Sequence, residues 1–200
     1  EEAQLLRELF LYRFDKGKEG LKGHNFGNLF IVAMADILGS YDEAIENTSR
    51  ILNVEGRVLP ITSEPIDLHA KYEDGSELFE EANIDEPPED HDGKMKIERL
   101  WVEPGIPIAR KTSRAILEAD FIVLGPGDLY TSIFPNLVVN GTKTAIKKSD
   151  AKIIYVENLM TKYGQTWGFT AKDHVEEVKK YLGRYPDFVL INSEKLPERI

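Results

Sequence analysis

The sequence predicts an α/β protein with a mainly parallel sheet and a small antiparallel β-meander flap. From residue 113 onward, short β-branched and aromatic runs alternate with amphipathic stretches at helical spacing. This alternation is typical of right-handed βαβ crossovers and a parallel sheet. Between residues 57 and 103, strand-like runs flank Asp74-Gly75, a strong hairpin turn signal that indicates antiparallel pairing.

Helices are predicted for the first 53 residues, over 2–14, 28–38 and 41–52. In the first segment the apolar residues recur every three or four positions, so that they share one helix face. The second is apolar nearly all round and lies between Gly27 and Gly39, which predicts a buried helix.

Strands are predicted next. The meander comprises 57–61, 66–72, 77–84 and 95–102, and Pro104 ends it. The parallel part is expected to contain these elements in order: helix 113–118, strand 121–124 buried on both faces, helix 132–148, strand 152–156, helix 171–182 and strand 188–191. With 42% hydrophobic residues, 200 residues can bury one sizeable core, so we predict a single domain over 1–200 with 57–103 as an insertion.

The acidity of the chain is local. Residues 73–92 account for the whole net charge of −10, because they contain ten Asp or Glu and no Lys or Arg. The balanced remainder supplies no basic stripe, so nucleic acid is excluded as a partner. A solvated, mobile loop is favoured over a metal site for 73–92, since metal-loop spacing is missing.

Composition also bears on compartment. The chain has no Cys, which excludes disulfides and thiolate chemistry and is consistent with a cytoplasmic protein. No apolar run approaches the length of a membrane span. The chain does not begin with Met, and we expect a fragment of a longer protein.

One loop carries the strongest ligand signal. The strand 121–124 ends in Gly125-Pro126-Gly127, and Thr131 and Ser132 follow at the expected start of a helix. Glycines allow close approach of a ligand, and helix N-termini favour anions. The loop matches neither the dinucleotide fingerprint nor a P-loop. A phosphate site and a plain tight βα turn therefore stay open as alternatives.

Two further polar segments join this loop as candidates. Asn158 and Thr161 follow the strand 152–156, where ligands of parallel sheets bind, and Trp167 later in that loop is a candidate stacking or lid residue. Thr170 and Asp173 resemble a capping box.

The third segment contains His24, Asn25 and Asn28 at the start of an apolar helix. Three roles are open for His24: a cap or packing role, a ligand contact, and a general acid/base, with a ligand contact favoured over catalysis.

The remaining aromatic and histidine residues favour structural roles. We predict that Trp101 packs in the core or flap, that His69 is structural, and that His91 and His174 lie on the surface. The chain lacks zinc-ligand spacing and a Gly-x-Ser-x-Gly elbow, so no catalytic residue or metal ligand is assigned.

Four segments together resemble the YvcK-type gluconeogenesis factors of the CofD-like superfamily, which also contains the 2-phospho-L-lactate transferases of deazaflavin coenzyme biosynthesis. The segments are GHNFGN at 23–28, NVEGRVLPIT at 53–62, GPGDLYTSIFPNL at 125–137 and NLMTKYGQTWGFTAKDHV at 158–175. The resemblance implies a Rossmann-like three-layer α/β/α fold and a cytoplasmic protein that binds a UDP-sugar such as UDP-N-acetylglucosamine. It also implies a role in cell shape, cell-wall precursor supply and growth on gluconeogenic carbon.

Carried over by motif, the resemblance assigns a binding role to three groups of residues. The phosphate and sugar region would be lined by Gly125, Pro126, Gly127, Tyr130, Thr131 and Ser132. The helical side would contribute His24, Asn25 and Asn28, and the next strand end would contribute Asn158 and Thr161.

The chain departs from the family pattern in several places. The family's initial strand with its Gly-Gly-Gly-Thr-Gly turn, its Ala-Asp-Asp-Gly-Gly segment and its C-terminal part are absent. Asp128 stands where Ser is common, Gln165 where Glu is common, and Trp167 where Asp is common. A carboxylate at 128 repels a diphosphate unless a metal or a base intervenes.

The leading hypothesis is a nucleotide-sugar-binding regulatory protein without turnover. The alternative is a transferase that moves a phospholactyl-type group from a nucleotide diphosphate to a deazaflavin alcohol, with Mg²⁺ neutralising the diphosphate. A third reading is an interaction module alone. A homo-oligomer or a regulatory protein partner stays open beside the nucleotide ligand.

Overall fold

The computed structural model describes residues 2–14 and 20–194. The chain forms two compact units, Glu1–Ser63 and Glu64–Ile200. Each unit is described by itself below, and the single-domain organisation stays a prediction.

The first unit contains the three predicted helices, α1 (Glu2–Leu11), α2 (Phe26–Leu38) and α3 (Tyr41–Ile51). Helix α2 begins two residues earlier than expected because Asn25 caps it, with its side chain accepting a hydrogen bond from the Asn28 N–H at 3.2 Å. Ser40 caps α3 in the same way. Phe10, Phe26 and Phe30 form an aromatic cluster that joins α1 to α2.

The second unit opens with an antiparallel sheet in the order β2-β1-β3. Its strands are β1 (Asp67–Tyr72), β2 (Glu77–Phe79) and β3 (Ile97–Glu103), which confirms the meander and its Asp74-Gly75 turn. The outer face of β1 carries His69, whose ring stacks on Trp101 at 5.2 Å, as expected for packing residues.

Two predicted strands of the meander are wrong. Residues 57–61 form no strand; Pro60 has no N–H to donate there. The strand predicted over 77–84 ends at Phe79, since Glu80 takes a positive φ of 70° and starts α4 (Glu81–Asp85). The acidic stretch therefore holds a strand and a helix, and the prediction of a solvated loop is wrong for that part.

The predicted parallel sheet follows, and its strand order is β4-β5-β6. Its strands are β4 (Phe121–Leu124), β5 (Lys152–Val156) and β6 (Phe188–Leu190), and α5 (Arg110–Leu117) precedes them. The predicted α/β class with a parallel sheet and an antiparallel sheet is confirmed. The predicted burial of β4 on both faces is wrong. Phe121 and Val123 are 60% and 57% exposed, because successive side chains of a strand point to opposite faces and one face of β4 is open.

The helical segment predicted over 132–148 is broken into three parts. A π-helical turn (Leu129–Ile133) leads into α6 (Phe134–Val138), and α7 (Thr142–Lys148) follows. Pro135 lies in the first turn of α6, where its missing N–H costs nothing, and Gly141 with φ 94° separates the two helices.

Helix α8 (Ala171–Leu182) begins at the predicted capping box, since the Thr170 and Asp173 side chains each bond the other residue's backbone N–H. Helices α6 and α8 pack together, and α6 also packs on β3. The Tyr181 hydroxyl of α8 accepts a hydrogen bond from the Leu100 N–H of β3 at 3.0 Å. These helices thus connect the antiparallel sheet with the helix layer beside the parallel sheet.

Across 2–14 and 20–194, the helices are too short or too polar to cross a membrane.

Candidate functional site

The glycine turn after β4 is shaped by close contact with β5. Gly125 has φ 84°, a conformation that other residues rarely adopt. A Cβ at this position would lie 2.7 Å from the Val156 carbonyl oxygen and 3.2 Å from Ile133 Cδ1. Only glycine allows the chain to turn here while remaining against the end of the neighbouring strand.

A side chain from the next strand end closes this turn. The Gly127 N–H donates a hydrogen bond to Asn158 Oδ1 at 3.1 Å, and Asn158 directly follows β5 and its flanking Glu157. The structure therefore brings together two of the predicted site segments, which are separated by 31 residues in the chain. Asn158 is half-buried, and the NH₂ of the same amide is a hydrogen-bond donor.

The residues that follow the turn divide into buried and accessible side chains. Pro126 and Ser132 are exposed, and Thr131 is half-buried. Tyr130 is fully buried, with its ring against Phe134 and Tyr181, and burial raises the pKa of its hydroxyl far above the usual value. Its side chain supports the turn from the core, so its role in lining the ligand site stays a prediction.

A polar group that we call the Lys162 cluster lies beside the turn. Its members are Asp85 from the end of α4, Asp128 and Thr131 from the turn after β4, and Lys162 and Gln165 from the loop after β5. The ammonium group of Lys162 bonds the carboxylates of both Asp85 and Asp128, the latter at 2.8 Å. Asp85 Oδ1 also accepts hydrogen bonds from Thr131 Oγ1 at 2.8 Å and from Gln165 Nε2 at 3.1 Å.

The electrostatics of the cluster favour the charged forms. Burial of Asp85 opposes its ionisation, but hydrogen bonds from Lys162 and Thr131 outweigh that effect and lower the pKa of the carboxyl. Burial of Lys162 likewise opposes its charge, and its bonds to Asp128 and Asp85 raise the pKa of the ammonium group overall. Lys162 is therefore the basic group that offsets the negative charge of Asp128.

Two loops hold this cluster in place through glycines. The Gly164 N–H donates to the Gly93 carbonyl oxygen at 2.8 Å. A Cβ at Gly93 would lie 2.3 Å from the Tyr163 ring, and one at Gly164 would lie 2.7 Å from Pro87 Cγ. The acidic stretch and the loop after β5 thus interlock with no space for larger residues. Trp167 is half-exposed in the same loop, edge-on to Tyr163.

A buried acid and a buried imidazole lie below the loop. His174 is 3% exposed, and its Nδ1 lies 3.0 Å from the Thr170 carbonyl oxygen and 3.5 Å from Glu157 Oε1. The prediction of a surface position for His174 is wrong, because the first turn of α8 presents this residue to the end of β5. His91 is half-buried, with its ring centroid 4.3 Å from that of Tyr72, so the surface position predicted for it holds only in part.

The third predicted segment belongs to the first unit. Asn25 is the cap of α2, and His24 and Asn28 are exposed. Asn25, and not His24, supplies the capping side chain. The backbone of His24 forms hydrogen bonds with Phe14 and Leu21. The contribution of these three residues to a ligand site stays a prediction, as does that of the exposed Thr161.

Sequence reasoning assigned no role to Asp85, Lys162 or Gln165. Two departures from the family pattern could have pointed to this cluster: Asp128, where Ser is common, and Gln165, where Glu is common. Both change the charge beside the glycine turn. Asp85 carried no local signal, because it lies 77 residues from Lys162. Within 2–14 and 20–194, no group of three His, Asp or Glu side chains is arranged to hold a metal ion.

The chain is similar to known proteins over its whole length. A family model described as "2-phospho-L-lactate transferase CofD" matches residues 1–200. A relative from Thermotoga maritima is 45% identical over 100% of this chain and 61% of its own length. The protein named "Gluconeogenesis factor" in Bacillus subtilis is 40% identical over 98% of this chain and 60% of its own length.

A solved structure agrees with these sequence matches. The crystal structure of a protein from Bacillus halodurans, described as a member of the UPF0052 family, superposes with a TM-score of 0.87 at 39% identity. The superposition covers 97% of this chain and 61% of the chain from Bacillus halodurans. The chain thus spans about three fifths of the length of these relatives.

Proposed function

Because the chain belongs to the 2-phospho-L-lactate transferase CofD family, we propose that it forms the nucleotide-sugar-binding part of a regulatory protein of the gluconeogenesis-factor kind. The ligand is a UDP-sugar similar to UDP-N-acetylglucosamine. The protein acts in the cytoplasm, where the bound state influences cell shape, cell-wall precursor supply and growth on gluconeogenic carbon.

The observation that carries this proposal is the hydrogen bond between the Gly127 N–H and Asn158 Oδ1. It fixes a glycine turn and an amide side chain at the carboxyl ends of adjacent parallel strands, which is the edge where α/β sheets bind ligands. The glycines expose backbone close to a ligand, and the amide can bond a sugar hydroxyl or a base edge. This combination suits an uncharged sugar next to a phosphate.

The charge of the turn is compatible with a diphosphate. Asp128 alone would repel one, but its carboxylate is paired with Lys162 at 2.8 Å. Lys162 and the Thr131 hydroxyl are donors that meet at Asp85, and the exposed Ser132 adds a second hydroxyl to the same turn. Pairing with Lys162 therefore weakens the repulsion between Asp128 and an anionic ligand.

The transferase alternative is favoured by the description of the matching family. Its Mg²⁺ does not fit the carboxylates beside the turn, because the Lys162 ammonium group bridges Asp85 and Asp128. We derive no step through a metal from these residues. Binding without turnover therefore ranks above transfer for this chain.

Isothermal titration calorimetry with UDP-N-acetylglucosamine tests the proposal on the longest form of the protein that can be prepared. We expect saturable heat for the wild type and affinity about tenfold weaker for Asn158→Ala, which removes the acceptor for Gly127. Asn140→Ala is the matched control, since this exposed amide bonds Gly105 and lies outside the turn. Absence of heat with the wild type would refute the proposal.

A separate assay addresses the alternative. The wild type is incubated with a lactyl nucleoside diphosphate, a deazaflavin alcohol and Mg²⁺. The phospholactyl deazaflavin and the nucleoside monophosphate released with it are measured by chromatography. We expect no product. Its formation at a rate that depends on the protein would replace the regulatory proposal with the transferase.

A further inference from the structure

Three hydrogen-bond donors converge on one oxygen of Asp85. Thr131 Oγ1, Lys162 Nζ and Gln165 Nε2 all donate to Oδ1, with the Thr131 and Gln165 bonds at 2.8 Å and 3.1 Å. The donors come from the turn after β4 and the loop after β5. Asp85 comes from α4, within the acidic stretch that precedes the parallel sheet.

This donor set has the chemistry of an oxyanion site. It combines one positive charge, one hydroxyl and one amide at a single carboxylate oxygen, and the positive charge is shared with Asp128, whose Oδ2 lies 2.8 Å from Lys162 Nζ. Gln165 is 1% exposed, so its amide is fixed by packing and does not depend on Asp85 for its position. Lys162 keeps a second contact in Asp128, at 2.8 Å, which does not involve Asp85.

Resting on the proposed function, we infer that Thr131, Lys162 and Gln165 form a binding site for a phosphate group of the ligand, and that Asp85 occupies this site when the ligand is absent. Asp85 then acts as an internal competitor. Ligand phosphate and Asp85 cannot both accept a hydrogen bond from Thr131, because its hydroxyl group has one proton to donate and Asp85 Oδ1 takes it.

The anchoring of α4 limits the movement that this exchange requires. Ile84, next to Asp85, is fully buried and holds the helix on the sheet. Asp85 is the last residue of α4, and its side chain is partly exposed. Rotation of that side chain away from Thr131 is therefore sufficient, and α4 stays docked.

The test measures pyrophosphate binding to the full chain by isothermal titration calorimetry. We expect Asp85→Asn to bind pyrophosphate about tenfold more tightly than Glu89→Gln. Glu89 is an exposed acid of the same stretch, so its variant changes net charge equally without touching the donors. Equal affinity of the two variants, or binding by neither, would overturn the inference. Lys162→Met in the Asp85→Asn background is expected to abolish the gain.

A measurement on the wild type covers the case in which Asp85→Asn fails to fold. The side-chain carboxyl carbon of Asp85 is followed by NMR as a function of pH, with and without saturating pyrophosphate. Displacement is expected to move its titration upward, toward the ordinary aspartate range. An unchanged titration with pyrophosphate bound would overturn the inference. UDP-N-acetylglucosamine binding by the wild type can still succeed in that case, which separates this failure from failure of the proposed function.

Discussion

The ammonium group of Lys162 lies 2.8 Å from Oδ2 of Asp128, across 34 residues of sequence. Asp128 is the residue of the glycine turn that sequence reasoning could not reconcile with a phosphate ligand. Because Lys162 neutralises it and also bonds Asp85, one basic side chain determines the charge of the whole turn. The predictions below follow from this cluster and from the glycines around it.

Lys162→Met should destabilise the protein by about 1–2 kcal/mol, because it leaves two partly buried carboxylates without their cation. The pair is about one third exposed, which keeps the effect below that of a fully buried ion pair. Urea unfolding followed by circular dichroism measures the change. Lys172→Met, at an exposed position in the first turn of α8, is the control and should change stability by less than about 0.5 kcal/mol.

The stability difference between wild type and Lys162→Met should depend on pH at both extremes. The Asp85 pKa is lowered from 3.8, so its contribution is present above that value and is lost as pH falls through the folded-state pKa. The Lys162 pKa is raised from 10.5, so its contribution is present below that value and is lost as pH rises through the folded-state pKa.

Unfolding measured across pH should therefore show a plateau in this difference from about pH 5 to about pH 9.5. The difference should shrink below and above that plateau. A difference that stays constant as pH falls through the lowered folded-state pKa of Asp85 would contradict the assignment of the ion pair.

Gly125→Ala should destabilise the protein by about 2 kcal/mol or more. The substitution combines a left-handed backbone with a Cβ placed 2.7 Å from the Val156 carbonyl oxygen. Gly183→Ala is the matched control, since φ there is 88° and nothing lies within 4 Å of the added Cβ. Gly183→Ala should cost only the conformational part, about 1 kcal/mol. Equal losses in urea unfolding would show that contact with Val156 is unimportant.

Gly93→Ala should loosen the interlock between the acidic stretch and the loop after β5, because its Cβ would overlap the Tyr163 ring. We expect a loss of about 1–3 kcal/mol, seen as a drop of several degrees in Tm. Tyr163→Ala in the same chain removes the overlapping ring, so the Gly93→Ala change should then cost much less. A cost that is independent of Tyr163 would place the strain elsewhere.

Much of the fold could be predicted because its signals are local. The Gly-Pro-Gly turn, the Asp74-Gly75 hairpin and the Thr170-Asp173 capping box are each specified by residues within a few positions of one another. Where a local signal failed, a backbone feature was responsible: Pro60 within the supposed strand, the positive φ at Glu80, and Gly141 between two helices.

The sequence by itself determined the α/β class, the parallel order of strands and the meeting of the glycine turn with Asn158, since parallel strands bring their carboxyl ends to one edge. Only the tertiary structure decided the partners of Lys162, because Asp85 reaches it across 77 residues through the packing of α4. Burial of His174 and exposure of Phe121 were decided in the same way. Charge pairing and burial depend on which elements pack together, and no short-range pattern of residues encodes that.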